Sequence, residues 1–362
     1  MMKTQRDMKP VTRGAELSTP ANEIVSRGPL LDENGKLVQT GWARFPYLDC
    51  NLENAGRHPR GLFQRLRLKR WDYYAVTTPD LFLSITLAHL GYVGTVFAYV
   101  VDYGSDALHE ETLLAPFGAG IELARNADSG SSHFDNGRAR VAFEASDGER
   151  HVRFSWPGFD RKRGLEADIV LRCGRDHESV VTATAMGGSR FFYTRKVNCM
   201  PGEGRITWGD RQVDLKPNTS LGTLDWGRGI WPYSTSWIWA SASAFLESGR
   251  TLGMNMGSGF GDASAPDNAL ILGGRVHKLD QVTFAHDHAR LMAPWRMTSP
   301  DGRVSLDFQP FKERVARTNL VVVKSEVHQI FGRYNGFVES DDGERVSVHD
   351  VIGFVEEHHA RW

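Results

Sequence analysis

Residues 141–156 read VAFEASDGERHVRFSW, and this stretch decides the fold class. Val141, Phe143 and Ala145 alternate with other residues. Val152, Phe154 and Trp156 alternate again beyond Asp147-Gly148. A period of two places one set of side chains on one face of a strand. Asp-Gly is a dipeptide favoured in the two-residue turns whose twist matches that of paired strands. The stretch therefore predicts a β-hairpin with one apolar face.

The same signature recurs on both sides. Leu81, Leu83, Ile85 and Leu87 form one alternating set, Gly91 marks a turn, and Val93–Tyr103 returns as a strand rich in Val, Tyr and Phe. Leu165–Leu171, Ser179–Ala185, Phe191–Val197 and Arg205–Trp208 read as further strands, with a turn expected at Pro201-Gly202-Glu203-Gly204. Asp301-Gly302 and Asp342-Gly343 separate more alternating runs in the second half. His109–Leu114 is the one short helical candidate in the first half. Glycine, at 37 of 362 residues, exceeds the usual share of about 7% and favours many tight turns. No fixed-period repeat argues for a solenoid or propeller. The pattern predicts an all-β chain in two barrel-like units. A tail is expected over 1–18, a first β-barrel-like domain over 19–187 and a second over 188–362, with the boundary at Gly187-Gly188.

Composition narrows the function. The formal net charge is −1, with 43 Lys+Arg against 44 Asp+Glu, so the overall basic footprint of a nucleic-acid binder is absent. The local basic run Arg57–Arg70 reads as a solvated edge. No apolar run reaches the roughly 20 residues of a membrane-spanning helix, so no integral membrane association is expected. The N-terminus lacks the apolar region of a signal peptide, and Cys50, Cys173 and Cys199 are widely spaced and odd in number. Free thiols and a cytoplasmic location are expected. Oligomeric state is left open.

The chemistry concentrates in LDWGRGIWPYSTSWIWASAS, Leu224–Ser243. It holds four tryptophans, one acid and one cation. Gly227 and Gly229 flank Arg228, which suits either positive φ or a close approach that a Cβ would block. Pro232 biases Trp231 away from helix, so Asp225–Tyr233 reads as a shaped extended loop. Trp237 and Trp239 are two apart and share a face on a strand. The expected site has Asp225 and Arg228 as its polar, candidate catalytic pair and Trp226, Trp231, Tyr233, Trp237 and Trp239 as its ligand-binding surface. Asp225 can serve as a general acid if apolar surroundings raise its pKa. Equally, it can form a structural ion pair with Arg228.

Other motifs read more plainly. Gly253–Gly261 lacks the Lys-Ser/Thr of a phosphate loop and is taken as a strand-to-loop passage. His286 and His288 share a strand face, but a third ligand would have to come from Asp262, Asp267, His277 or His328. They are read as polar residues at a strand end, with no metal and no cofactor expected. Glu356–His359 is read as a solvated or capping end. No G-x-S-x-G elbow is present.

Three motifs carry a family resemblance: DWGRGIWPY (Asp225–Tyr233), HQIFGRYNGFV (His328–Val338) and GFVEEHHARW (Gly353–Trp362). Together they resemble a bacterial family known as a domain of unknown function, over about Gly28–Trp362. More distantly the chain is similar to hydroxyneurosporene synthase, the carotenoid hydratase, and its lipocalin-like relatives. That likeness implies two successive lipocalin-like (calycin-type) antiparallel β-barrels with a site lined by Trp and an acid. The hydratase group carries an Asp-His-Glu-Trp-type motif. Here the matching stretch is Asp225-Trp226-Gly227-Arg228, without the His-Glu pair. The expected partner is a small hydrophobic molecule of isoprenoid or lipid type. The enzymatic version is an acid-assisted hydration, isomerisation or cyclisation. The alternatives are a non-catalytic lipocalin-like binding protein and a carbohydrate-active protein.

Overall fold

A computed structural model describes residues 22–55, 66–259, 266–320 and 323–362. The expected tail over 1–18, Asp262 and most of the basic run at 57–70 lie outside the described residues. Apart from single helical turns at Leu52–Asn54 and Phe159–Lys162, the described elements are strands. Gly28–Pro29 and Leu48–Asp49 pair as a small parallel sheet, and the others build two strongly curled antiparallel half-barrels, consistent with tandem lipocalin-like barrels.

The first sheet has thirteen strands. Ten of them run in the order Leu108–Pro116, Val93–Asp102, Leu81–His89, Leu68–Thr77, Leu221–Ile230, Phe191–Trp208, Leu165–Arg172, Glu149–Trp156, Arg140–Ser146 and Gly130–Asp135. The second sheet has nine strands, and three of its central ones, Val304–Leu320, Val323–Glu339 and Arg345–Arg361, are 17 residues each. The hairpin at 141–156 forms as its sequence predicts. Ser146 pairs with Glu149, and Asp147 and Gly148 both have positive φ, 49° and 78°, as the primed turn requires.

Four expectations change. His109–Leu114 lies in the strand Leu108–Pro116, paired along Val93–Asp102. Leu113 and Ala115 point into the core, so sheet burial overrides the local helical preference. Pro201–Gly204 is no turn, because Phe191–Trp208 is one continuous strand. A bulge between Val197 and Met200 bends it. At Gly204 a Cβ would come within 2.1 Å of the Asp168 carbonyl oxygen, so that glycine serves a crossing of chains. Asp225–Ile230 is likewise part of a strand, Leu221–Ile230, buried along its whole length. Finally, the first sheet ends at Ile230 and the second starts at Ser234. Gly187 and Gly188, both at positive φ, turn the chain between two paired strands of the first sheet. The change of sheet falls at Trp231–Tyr233 instead.

Each half-barrel has its own apolar core. A third cluster joins them, with Tyr73, Phe82, Tyr99 and Val101 from the first sheet meeting Trp239, Phe331 and Phe354 from the second. Phe82 packs edge-on to Phe331, ring centres 5.0 Å apart, and Trp239 edge-on to Phe354 at 4.9 Å. Such pairs contribute roughly 0.5–1.5 kcal/mol beyond their area burial. Cys50, Cys173 and Cys199 are free and buried, and burial pushes the Cys50 and Cys199 thiols up to about 12. Among the described residues no helix is long and apolar enough to cross a membrane.

Phe331 is fully buried at this junction. Phe331→Ala is expected to lower unfolding free energy by about 3–5 kcal/mol in urea titrations. A loss below about 1 kcal/mol would show that the half-barrels do not depend on this contact.

Candidate functional site

The strand Leu221–Ile230 separates two environments. Leu224, Trp226 and Ile230 point into the first half-barrel's core. Asp225, Gly227 and Gly229 point the other way, toward the second sheet. On that face a Cβ at Gly227 would lie 2.2 Å from the Trp71 ring, and one at Gly229 would lie 2.3 Å from the Phe191 carbonyl oxygen and 3.1 Å from Trp231 Nε1. Close approach, not positive φ, is why these positions are glycine.

A cavity of about 230 Å³ lies between the two sheets. Its first wall is a row of cross-strand neighbours, Lys196, Asp225, Tyr73, Thr86, Phe97 and Thr112. The facing wall has two rows: Trp239, Glu356, Gln329 and Arg314, then Trp237, His358, Val327 and Ala316. Trp71 and Phe192 stack with ring centres 5.5 Å apart, and Trp231 stands 5.5 Å from Trp237. The surface is mostly apolar, with many rings, and the charged groups are held by partners.

Those partners set the electrostatics. Lys196 Nζ is 2.7 Å from Asp225 Oδ1 and 4.4 Å from the centre of the Trp239 ring. Burial pushes the Asp225 carboxyl above the usual carboxylate range, although the Lys196 ammonium opposes it. Arg314 donates to both oxygens of Glu110, at 3.0 and 2.5 Å, tying the second sheet to the first. The Trp237 indole donates to Glu356 Oε1 at 3.2 Å. His358 Nε2 lies 2.8 Å from Ser325 Oγ, and its Nδ1 faces Glu356 Oε1 at 3.7 Å. Near the Trp362 side of the cavity, Lys69 Nζ donates to the Leu90 carbonyl and sits 4.4 Å from the Tyr92 ring centre and 5.5 Å from that of Trp362. Burial, aided by Arg67, lowers its pKa to about 7.

Of the residues singled out in the sequence, Asp225, Trp231, Trp237 and Trp239 line the cavity. Three do not. Trp226 and Arg228 lie on the opposite face of their strand, because neighbours at odd spacing point to opposite sides. Arg228 does not pair with Asp225. Its guanidinium pairs with Asp72 at 2.8 Å, donates to the carbonyls of Trp71 and Ala124, and lies 4.1 Å from the Trp226 ring centre. Tyr233 is half exposed, outside the lining. Lys196, Trp71, Arg314, Glu356 and His358 were not expected. The signal was present for two of them: Glu356 and His358 are two apart in a β-compatible run. Glu356–His358 are buried within a strand, and only His359 of that run is exposed.

The alternate residues of that run go elsewhere. Glu357 meets His286 and His288, supplying a third group that none of Asp267, His277 and His328 supplies.

Residues 21–362 match the family profile described as Domain of unknown function (DUF2804), and the chain belongs to that family. No curated protein matches it in sequence. Among solved structures it is similar to a protein provisionally assigned as AttH from Nitrosomonas europaea, with 16% identity, 80% of this chain and 92% of that one covered, and a TM-score of 0.46. It is also similar to kievitone hydratase from Nectria haematococca, at 9% identity, 81% and 88% coverage and a TM-score of 0.43. A third is CghA, at 8% identity, 93% and 97% coverage and a TM-score of 0.44.

Two outcomes are expected from the buried charges. Asp225→Asn keeps an oxygen acceptor for the Lys196 ammonium, with Asp267 the next carboxylate among the described residues at 3.9 Å. The variant is expected to lose no more than about 1 kcal/mol in urea titrations. Lys69 loses its proton near pH 7 in the folded chain but near 10.5 in the unfolded one. The unfolded state therefore binds more protons across that interval, and stability rises with pH over it. Lys69→Met should flatten that rise in the measured pH dependence of unfolding free energy.

Proposed function

We propose that the protein binds a small, largely apolar molecule of isoprenoid or lipid type between its half-barrels. On it the protein performs an acid-assisted hydration, isomerisation or cyclisation. The observation that carries this reading is Asp225, a buried carboxyl whose charged form is disfavoured, in a cavity lined by Trp71, Trp231, Trp237 and Trp239. A protonated carboxyl among rings can deliver a proton to an alkene carbon. The carbocation that forms is attracted to the ring faces, each contact worth roughly 0.5–2 kcal/mol. As Asp225 gives up its proton, the ammonium of Lys196 stabilises the carboxylate left behind.

The second proton transfer belongs to the facing wall. His358, whose Nε2 meets Ser325 Oγ at 2.8 Å and whose Nδ1 faces Glu356 Oε1 at 3.7 Å, is the imidazole on that wall that accepts a proton. In hydration it takes a proton from the water that adds. In isomerisation or cyclisation it takes the proton that leaves the neighbouring carbon. Arg228, locked to Asp72 on the other face, has no role in this chemistry.

The binding-only alternative uses the same cavity without turnover. The carbohydrate alternative is less well supported, because Trp231 and Trp239 are buried in an interior cavity and present no exposed platform for a sugar ring.

Tryptophan fluorescence with a panel of isoprenoids, fatty acids, sterols and oligosaccharides tests the reading. An apolar ligand is expected to shift the signal, with Trp231→Ala and Trp237→Ala each weakening binding at least about tenfold. Asp225→Asn, its folding verified by circular dichroism, should keep binding and lose turnover. Binding of oligosaccharides alone, or parent-like binding by both tryptophan variants, would overturn the assignment. Turnover retained by Asp225→Asn would remove Asp225 as the acid.

A further inference from the structure

The run Glu356-Glu357-His358-His359 serves two faces of one strand. Glu356 and His358 face the inter-sheet cavity. Glu357 and His359 face the mouth of the second half-barrel, beside a separate open basin. There Glu357 Oε2 lies 2.8 Å from His286 Nε2 and 3.0 Å from His288 Nδ1. The donor atoms of these three residues all lie within 4.8 Å of one another.

We propose that His286, His288 and Glu357 bind a divalent transition metal of the zinc class, independently of what the inter-sheet cavity binds. Two imidazole nitrogens and one carboxylate oxygen form a donor set suited to zinc and its neighbours, and not to magnesium or calcium, which take oxygen ligands. Zinc–nitrogen distances of about 2.0–2.1 Å place tetrahedral ligand atoms about 3.3 Å apart. The His–Glu contacts therefore need to open by only a few tenths of an ångström to admit the ion.

Two ligands are already held in place. His286 lies flat on Trp295, ring centres 3.7 Å apart and planes within 4°, and its side chain is only 2% exposed. Its Nδ1 is buried without a hydrogen-bond partner among the described residues, so stacking sets the ring's orientation. Glu357 sits within a long central strand, and its second oxygen meets His359 Nε2 at 2.9 Å. Such outer contacts orient a ligating carboxylate. His288 is the entry side, with its side chain 74% exposed, and it leaves the fourth position to water. His328 is adjacent to Glu357 across the sheet but engages Glu313 and Glu326 at 2.6 and 3.1 Å, so it is not assigned as a ligand.

The test uses the untagged full chain, stripped with EDTA and titrated with zinc chloride by calorimetry. One equivalent is expected to bind and to raise the melting temperature, and magnesium chloride is expected to do neither. His288→Ala, at an exposed position, and Glu357→Gln should each weaken zinc binding at least about tenfold. His288→Ala should leave the apolar-ligand fluorescence response of the parent unchanged. Absence of stoichiometric zinc binding, or binding that survives both substitutions unchanged, would overturn the proposal.

Discussion

The sheets of this molecule are buried on two faces where they meet, and most of its unusual features follow from that. One face of each sheet closes over its own half-barrel core, and the other presses against the second sheet. A strand such as Leu221–Ile230 has no wet side. Every charge on it must find a partner inside the protein, because an unpaired buried ion costs several kcal/mol. Asp225 pairs with Lys196 on one face, and Arg228 with Asp72 on the other. Arg314 and Glu110 do the same across the junction.

The double burial also explains the glycines. A face shared between two packed sheets has little room above the backbone. Gly227 gives its space to the Trp71 ring, and Gly229 to a neighbouring carbonyl and Trp231. The tryptophans can then lie around a cavity instead of filling it. The same geometry that leaves a space between the sheets strips water from Asp225 and raises its pKa. Packing and the raised pKa of Asp225 have one cause here.

Two-face alternation links the cavity to the histidine cluster as well. Glu356 and His358 look into the space between the sheets, and Glu357 and His359 look toward His286 and His288. Four adjacent residues therefore serve two chemically separate places. A substitution at one of them will report on one site only if the fold of the Arg345–Arg361 strand is preserved.

The sequence by itself determined the class of fold. Period-two alternation and Asp-Gly turns are local properties, and strands such as Glu149–Trp156 and Leu165–Arg172 follow from them directly. It also pointed to Asp225, Trp231, Trp237 and Trp239, since an acid among closely spaced aromatics is visible in one stretch. Only the tertiary structure decided the partners and the faces. Arg228 lies three residues from Asp225, yet odd spacing on a strand turns it to the opposite side. Lys196 and His358 lie far off in the chain and reach the same cavity through sheet pairing and sheet packing. Where local preference and long-range pairing disagreed, at His109–Leu114 and at Pro201–Gly204, pairing prevailed. Burial and hydrogen bonding across a sheet outweigh the small conformational preferences of single residues.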